Sequence, residues 1–571
     1  MASVDTDLEE LMSHLGEFGK YQAWQYSLHV LAGLTAGLHM LTLLTVAAVP
    51  GHKCVVPGLR EELGGNVTWE TVPGPRKLYT NETAFGNISV ILDSCHYKDI
   101  DNNTRDCDEW VYDTTYYKSS RAIEWNLVCS RRWKGALAQS SYMLGVFFGA
   151  VTLGTLADKY GRKVIFCISA TNQLILGMLV ALIPEYSAFL IMRFLYGIFG
   201  SAGAYITGFV LTMELVGPSK RTVCGLMFQL AFACGFVIVA FWGALIKDRM
   251  WLQIVYGAHS ALLIGHWWLM DESPRWLWAQ GRGKQAVDIV QKALKINGDQ
   301  TVLDVAKYVS KNRAKQASRD SAGSYSAVDL LKTPNLRKKT LNVCLNWFAN
   351  SIVYYGLSLS SGALMGNPYI SLALSGIVEF PSYIFTCVTM DRLGRRSLVS
   401  SFMLIGGTCC IVATLIKDLP AFVTAAATIV LVGKACIAIS FAVIYNYTAE
   451  LFPTVLRNTA LGIGSMCCRL SGALTPMLLL LDSLDPKVPA VIFGVIALIS
   501  GFLSLYLPET AGQPMPESLE DGEKFGVGDT CFTTCLGRKK NDDTYDVALK
   551  PMAKEAEKIN GDSQDKLKNS Q

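Results

Sequence analysis

Twelve stretches of mostly apolar residues, each long enough to cross a ~30 Å hydrocarbon core as a helix, recur along this chain. They fall at 23–49, 135–157, 164–183, 187–211, 222–246, 251–270, 338–359, 368–390, 397–416, 420–446, 458–480 and 488–507. Lipid supplies no hydrogen bonds, so a backbone crossing it must satisfy its own, and each stretch is confined to a helix. The expected fold class is an all-α polytopic membrane protein with twelve transmembrane helices. Composition agrees, with 51% hydrophobic and only 17% charged residues, where soluble chains carry about 25% charged. The net charge of +4 over 571 residues gives no case for nucleic acid as a partner. The opening DTDLEE lacks the basic start of a signal peptide, so the first apolar stretch is expected to remain as a helix.

Two long polar stretches, 50–133 and 271–337, interrupt the series and divide it six plus six. The first holds sequons at Asn66, Asn81, Asn87 and Asn102, which are glycosylated only on the lumenal side. It also holds Cys54, Cys95, Cys107 and Cys129, an even set that in an oxidising space forms two disulfides in one of three pairings. Lysine and arginine agree with that orientation: DKYGRK, SKR, PRWLWAQGRGK, LRKK and DRLGRR all fall on the opposite, cytoplasmic side. The expected order is a cytoplasmic N-terminus (1–22), a first helix (23–49), an extracellular glycosylated loop (50–133), helices two to six (135–270), a cytoplasmic linker (271–337), helices seven to twelve (338–507) and a cytoplasmic tail (508–571). Within the linker, KQAVDIVQKALKI at 284–296 has the spacing of an amphipathic helix.

The halves repeat. GTLADKYGRK follows the second segment and CVTMDRLGRR the eighth, with Asp158 and Asp391 separated by 391 − 158 = 233. ELVGPSKR and ELFPTVLR end the fourth and tenth, with Glu214 and Glu450 separated by 450 − 214 = 236. ESPR and PETAG follow the sixth and twelfth, with 509 − 272 = 237. Three motifs in one order at nearly constant offset mark a duplicated six-helix unit, hence two pseudo-symmetric bundles. Chemically they make a cytoplasmic rim: Asp158 with Arg162, Glu214 with Arg221, Asp391 with Arg395, and Glu450 with Arg457 can hold one conformation by ion pairs and release another.

The motifs together, with ESPRWL, YTAELFPTVLRN and LPET behind a large glycosylated first loop, resemble the organic cation, carnitine and organic anion transporter family of the major facilitator superfamily from about Ala23 to Pro516. The resemblance implies a central solute site between two rocking bundles and alternating access.

Charge inside the apolar segments marks where that site is expected, since intramembrane ions are costly and face polar partners or a solute path. Counting 1.5 Å per residue, Arg469 lies ~18 Å from Arg457, and Glu379 equally far from Asp391, so both are expected near the midplane. Lys434, ~24 Å from Glu450, is expected nearer the outer half, and Arg193 is expected near an outer end, where its head can snorkel to water. Trp347, Tyr354 and Trp242 offer aromatic faces that attract an ammonium by ~0.5–2 kcal/mol. In the family, cation-selective members carry Asp at the position of Arg469, and anion-selective members pair an arginine there with a lysine at Tyr383. Arg469 together with Tyr383 matches the carnitine and zwitterion branch; Ala36, where carnitine members carry asparagine, departs from it.

The expected function is therefore a plasma-membrane carrier moving small organic cations or zwitterions, with Arg469, Glu379, Trp347, Tyr354, Tyr383, Lys434 and Trp242 toward the solute. The alternatives are an organic anion transporter and a non-transporting receptor that keeps the fold. No metal-spaced cluster or nucleophile motif suggests an enzyme, and GRGK at 281–284 lacks the full phosphate-loop pattern. No cofactor is expected; coupling to a sodium or proton gradient is not specified by the sequence.

Overall fold

The computed structural model describes residues 6–56, 67–72, 90–91, 93–98, 103–319, 328–360, 366–416, 422–513, 515–516 and 518–532. The four sequon asparagines, Asn66, Asn81, Asn87 and Asn102, and the end of the tail lie outside the described residues.

Helices stand at all twelve expected positions. In the first half they are span 1 (Lys20–Val46), span 2 (Arg132–Tyr160), span 3 (Arg162–Leu182), span 4 (Tyr186–Gly197 continuing through Ile198–Ile206 and Thr207–Leu215), span 5 (Arg221–Leu245) and span 6 (Arg249–Ala258, His259–Leu263 and His266–Leu269). In the second half they are span 7 (Pro334–Leu359), span 8 (Pro368–Ile377 and Glu379–Leu393), span 9 (Arg395–Ile416), span 10 (Val423–Leu451), span 11 (Arg457–Leu479) and span 12 (Val488–Ser504). Among the described residues, nine helical stretches are both long and apolar enough to cross a bilayer alone. The other three positions differ for local reasons. Span 6 is interrupted by a 3₁₀ turn, span 12 has only 17 residues, and span 7 carries Arg337, Lys338, Lys339 and the buried Asn346 and Asn350.

Neighbours repeat between the halves as the motifs do. Span 1 packs on span 5 as span 7 packs on span 11, span 3 on span 6 as 9 on 12, and span 2 on span 4 as 8 on 10. The bundles meet along spans 2 and 11 and along spans 5 and 8. Small residues let these backbones approach: a Cβ on Gly376 of span 8 would stand 2.7 Å from the Phe236 Cβ and 3.0 Å from the Ala233 carbonyl oxygen of span 5.

The described residues of the loop 50–131 cover one end of the bundles, the loop end. His52–Val55 pairs antiparallel with Glu109–Tyr112, and Val90–Ile91, His96–Lys98 and Thr104–Asp106 form a second sheet. Disulfides Cys54–Cys107 and Cys95–Cys129 close this small domain over a core of Tyr97, Trp110, Tyr112 and Val128. The domain is fastened to the first bundle by buried Arg121, which donates to the Val180 and Ala181 carbonyls at 2.9 and 3.0 Å. Those carbonyls are at the C-terminus of span 3, where the helix offers unsatisfied acceptors and partial negative charge.

At the opposite, linker end, each bundle carries its own strap. Helix Thr6–Ser13 lays Leu11 and Met12, with Leu15 following, against Trp276, Val287, Val290 and Leu294 of the linker helices Pro274–Ala279 and Gly283–Asn297. Residues 518–532 cover the second bundle. There the Glu523 carboxylate accepts from the Asn335 and Leu336 N–H groups at 2.8 Å each, capping the start of span 7.

Candidate solute-binding site

Span 8 cannot run straight. Pro381 has no N–H to bond back to Ile377 and its ring crowds that carbonyl, and the helix breaks at Val378, delivering Glu379 at the break. The Glu379 side chain is closed to solvent and accepts from the Tyr354 hydroxyl at 2.9 and 3.0 Å and the Tyr383 hydroxyl at 3.1 Å. Its Oε1 lies 3.1 Å from Lys434 Nζ. Lys434, 1% exposed, also donates to Ser375 Oγ at 2.5 Å and stands 4.2 Å from the Phe236 ring centre. This overturns the expected separation of Lys434 from Glu379 by depth. A flexible four-carbon stem moves an ammonium well away from its own Cα, so helical rise alone misplaces it.

In front of this pair is a cavity between the bundles, lined from the first by Ala36, Met40, Met143, Val146, Ser201, Tyr205, Gln229 and Phe232. The second bundle contributes Tyr354, Tyr355, Tyr383, Phe441, Tyr445, Cys468 and Arg469. Tyr354 and Tyr383 are thus a wall, polar on the side that holds Glu379 and aromatic on the side that faces the cavity. The cavity measures about 50 Å³, far less than the ~300–1,000 Å³ of a site closed around a drug-sized ligand. A solute must part the aromatic side chains or the bundles to occupy it.

Arg469 is the one charged residue in that wall. It is partly buried, its guanidinium makes a long 3.4 Å contact from Nη1 to the Ser465 carbonyl of its own helix, and its buried Nε has no partner. Among the described residues no carboxylate lies within ion-pair distance of it. Arg469 and Glu379, the two charges expected near the midplane, form no ion pair with each other; the acid is held by Lys434.

Of the seven side chains expected at the site, Arg469, Tyr354 and Tyr383 line the cavity, and Glu379 and Lys434 form the layer behind. Trp347 lies outside the lining: fully buried, it donates to Thr448 Oγ1 at 3.0 Å and backs the Tyr445 ring at 4.3 Å. Trp242 is a correction, since it points away toward span 6 and donates to His259 Nε2 at 3.2 Å. Arg193 is another. It is completely buried rather than snorkelling, donating to Thr42 Oγ1 at 3.2 Å and Gln139 Oε1 at 3.1 Å, with its guanidinium 4.6 Å from the Tyr142 ring centre.

The linker-end motifs form two matching networks. Arg162 reaches Glu214 at 2.8 Å and Asp158 at 3.2 Å; Arg395 reaches Glu450 at 2.9 Å and Asp391 at 2.8 Å. Arg221 and Arg457 make no such ion pair among the described residues. The turns after spans 4 and 10 redirect them, Arg221 to the Val216 carbonyl at 3.2 Å and Arg457 to Met515 Sδ at 3.4 Å. Two acids quoted in the repeat but given no role by sequence complete the networks. Glu272 accepts from the Arg162 and Lys163 N–H groups at 3.2 and 3.1 Å, and Glu509 from those of Arg395 and Arg396 at 2.8 and 3.1 Å. Each caps the start of a span with negative charge. Burial raises the Glu272 carboxyl above its ordinary range, against the pull of these N–H groups and Arg162. The preceding glycines, Gly161 at φ +116° and Gly394 at φ +82°, are required twice over, because a Cβ on either would also lie 2.5 Å from the capping carboxylate.

Residues 83–520 match the family model described as "Sugar (and other) transporter". The chain is 36% identical over 532 residues to an organic cation transporter protein of Drosophila melanogaster, covering 91% of this chain and 95% of the relative. It is 35% identical to solute carrier family 22 member 3 of Mus musculus over 80% of this chain and 79% of that one. It is 30% identical to solute carrier family 22 member 16 of Homo sapiens, over 90% and 93%. The inward-open xylose transporter of E. coli superposes with a TM-score of 0.55 at 15% identity, over 87% of this chain and 98% of that one, which speaks for the fold. Duplicated bundles, paired rim networks and these relatives agree: the chain is a solute carrier of the major facilitator fold and not an enzyme, and it belongs to the sugar (and other) transporter family, in the group of the organic cation transporters and solute carrier family 22.

Proposed function

We propose that this carrier moves small zwitterions, solutes that join an ammonium group to a carboxylate, across the plasma membrane by alternating access. The observation that carries the reading is the Arg469 guanidinium, placed in the cavity wall without an acid, while the Glu379 carboxylate behind the wall is neutralised by Lys434. A planar guanidinium is matched to a carboxylate by its two-donor fork. The faces of Tyr354, Tyr355, Phe441 and Tyr445 offer the ammonium end about 0.5–2 kcal/mol each without a fixed anion. Relatives named as organic cation transporters support the cationic end of the solute. An organic anion is the second reading, favoured by the same free arginine and the lack of a free acid in the cavity.

The loop end is assigned to the outside, on the strength of its two disulfides and four sequons, and the linker end to the cytoplasm. The Arg162 network lies within the first bundle and the Arg395 network within the second, so each fixes the helix ends of its own bundle on the cytoplasmic side and biases the conformations those ends can take. Uptake by expressing cells of a zwitterion, its decarboxylated amine analogue and a dicarboxylate tests the reading. Saturable uptake led by the zwitterion is the expected result; preference for the dicarboxylate selects the anion reading, and no saturable uptake of any of them removes both.

A further inference from the structure

The charge balance of the membrane core is not closed by Glu379 and Lys434. Only four Asp, Glu, Lys or Arg side chains lie seven or more residues inside the spans: Arg193, Glu379, Lys434 and Arg469. Three cations against one anion leave a net charge of 3 − 1 = +2, and the acid is taken by Lys434. Each bundle therefore keeps one guanidinium without a counter-ion, Arg469 in the second and Arg193 in the first. Arg469 faces the central cavity. Arg193 does not, and it is the more demanding case, because it is fully buried and its Nε has no partner of any kind.

What surrounds Arg193 is polar but neutral. Thr42 comes from span 1, Gln139 and Tyr142 from span 2, and Tyr196 from span 4, its ring centre 6.0 Å from the guanidinium. Tyr196 in turn hydrogen-bonds His39 Nδ1, and His39 Nε2 meets Ser260 Oγ of span 6 at 2.7 Å. Protonating His39 would add a second positive charge to the cluster. An isolated buried ion is costly, and neutral hydrogen bonds repay only part of its lost hydration.

Gln139 gives the cluster an approach. Its amide oxygen accepts from Arg193, and the same residue lines the floor of a second cavity, about 650 Å³, that lies between the bundles at the loop end. The rim of that cavity carries the Arg132–Asp482 ion pair, closed at 2.7 and 2.5 Å, and Asp113, whose carboxylate is engaged by Thr115. An anion descending past this rim meets Gln139 and behind it the guanidinium.

We infer that Arg193 is a second anion site, which takes a small monovalent anion through the loop-end cavity in place of the Gln139 amide oxygen. The anion has two sources, a free inorganic ion such as chloride or the carboxylate of the solute itself. The site differs from Arg469 in bundle, in neighbours and in cavity, so it stands whether or not Arg469 holds the solute.

Purified full-length protein is heated in sodium chloride and in sodium isethionate, a bulky sulfonate, at equal ionic strength, each with and without a zwitterion or its decarboxylated analogue. A midpoint raised by chloride alone identifies the free ion; a midpoint raised in Arg469→Ala by the zwitterion but by neither chloride nor the amine identifies the carboxylate. The same scan on Gln139→Glu, which places a tethered carboxylate beside Arg193, is expected to lose that response while keeping wild-type abundance at the cell surface. Arg193→Gln is expected to weaken the apparent affinity for the anion about fivefold or more, and Arg469→Ala to leave the Arg193 response in place. A wild-type midpoint indifferent to both anions, a Gln139→Glu response equal to wild type, or failure of Gln139→Glu to reach the surface would each overturn the inference.

Discussion

Lys434 Nζ stands 3.1 Å from Glu379 Oε1 with both side chains shut off from solvent, and the Tyr354 and Tyr383 hydroxyls close the remaining side of the carboxylate. The pair ties span 10 to the broken span 8 directly behind the cavity wall. Removing one member leaves an uncompensated buried charge, a change that costs about 3–5 kcal/mol. Lys434→Met alone and Glu379→Gln alone are expected to lower the unfolding midpoint and surface abundance sharply. The double variant should recover most of both, and a double variant as poor as the singles would show that the pair does more than balance charge.

The rim networks predict an order of effects. Asp158 is 74% exposed and Glu214 only 20% exposed at their contacts with Arg162. Exposed pairs contribute about 0–1 kcal/mol, so Asp158→Asn should change turnover by less than about fivefold. Glu214→Gln and Arg162→Ala should slow it further, with KM little changed, because these groups bias conformations without touching solute. Initial uptake rates, normalised to surface protein, check the order.

The repeat made much of this readable in advance. Asp158, Arg162, Glu214 and their counterparts Asp391, Arg395 and Glu450 occupy the rim that the 233- and 236-residue offsets define. Glu272 and Glu509 share the third offset, and their role as caps needed the chain's path from span 6 or span 12 back to the start of span 3 or span 9. Inside the spans the sequence told less. Helical rise gives the height of a Cα but neither the reach of a lysine stem nor the break that Pro381 imposes, so Lys434 and Glu379 come apart on paper. For Arg193, buried inside the first bundle, and Trp242, half-buried against span 6, hydropathy carries no record of direction.

At the loop end the disulfides define a further outcome. Peptides from protein digested without reduction should link Cys54 to Cys107 and Cys95 to Cys129. Loss of all four sequons, at Asn66, Asn81, Asn87 and Asn102, should lower the apparent mass of the surface protein. Unglycosylated asparagines in surface-expressed wild type would place this end in the cytoplasm instead.

Arg469 is proposed to receive the carboxylate of a zwitterion. Uptake of a zwitterion and of its decarboxylated analogue, measured side by side in Arg469→Ala and Arg469→Lys at matched surface abundance, tests it most directly. A lost charged hydrogen bond of about 1.5–3 kcal/mol corresponds to a loss of roughly 10- to 150-fold for the zwitterion. The analogue should keep most of its uptake, and lysine, lacking the planar fork, should restore little. Equal loss of both solutes in Arg469→Ala, or full recovery of the zwitterion in Arg469→Lys, would contradict the account.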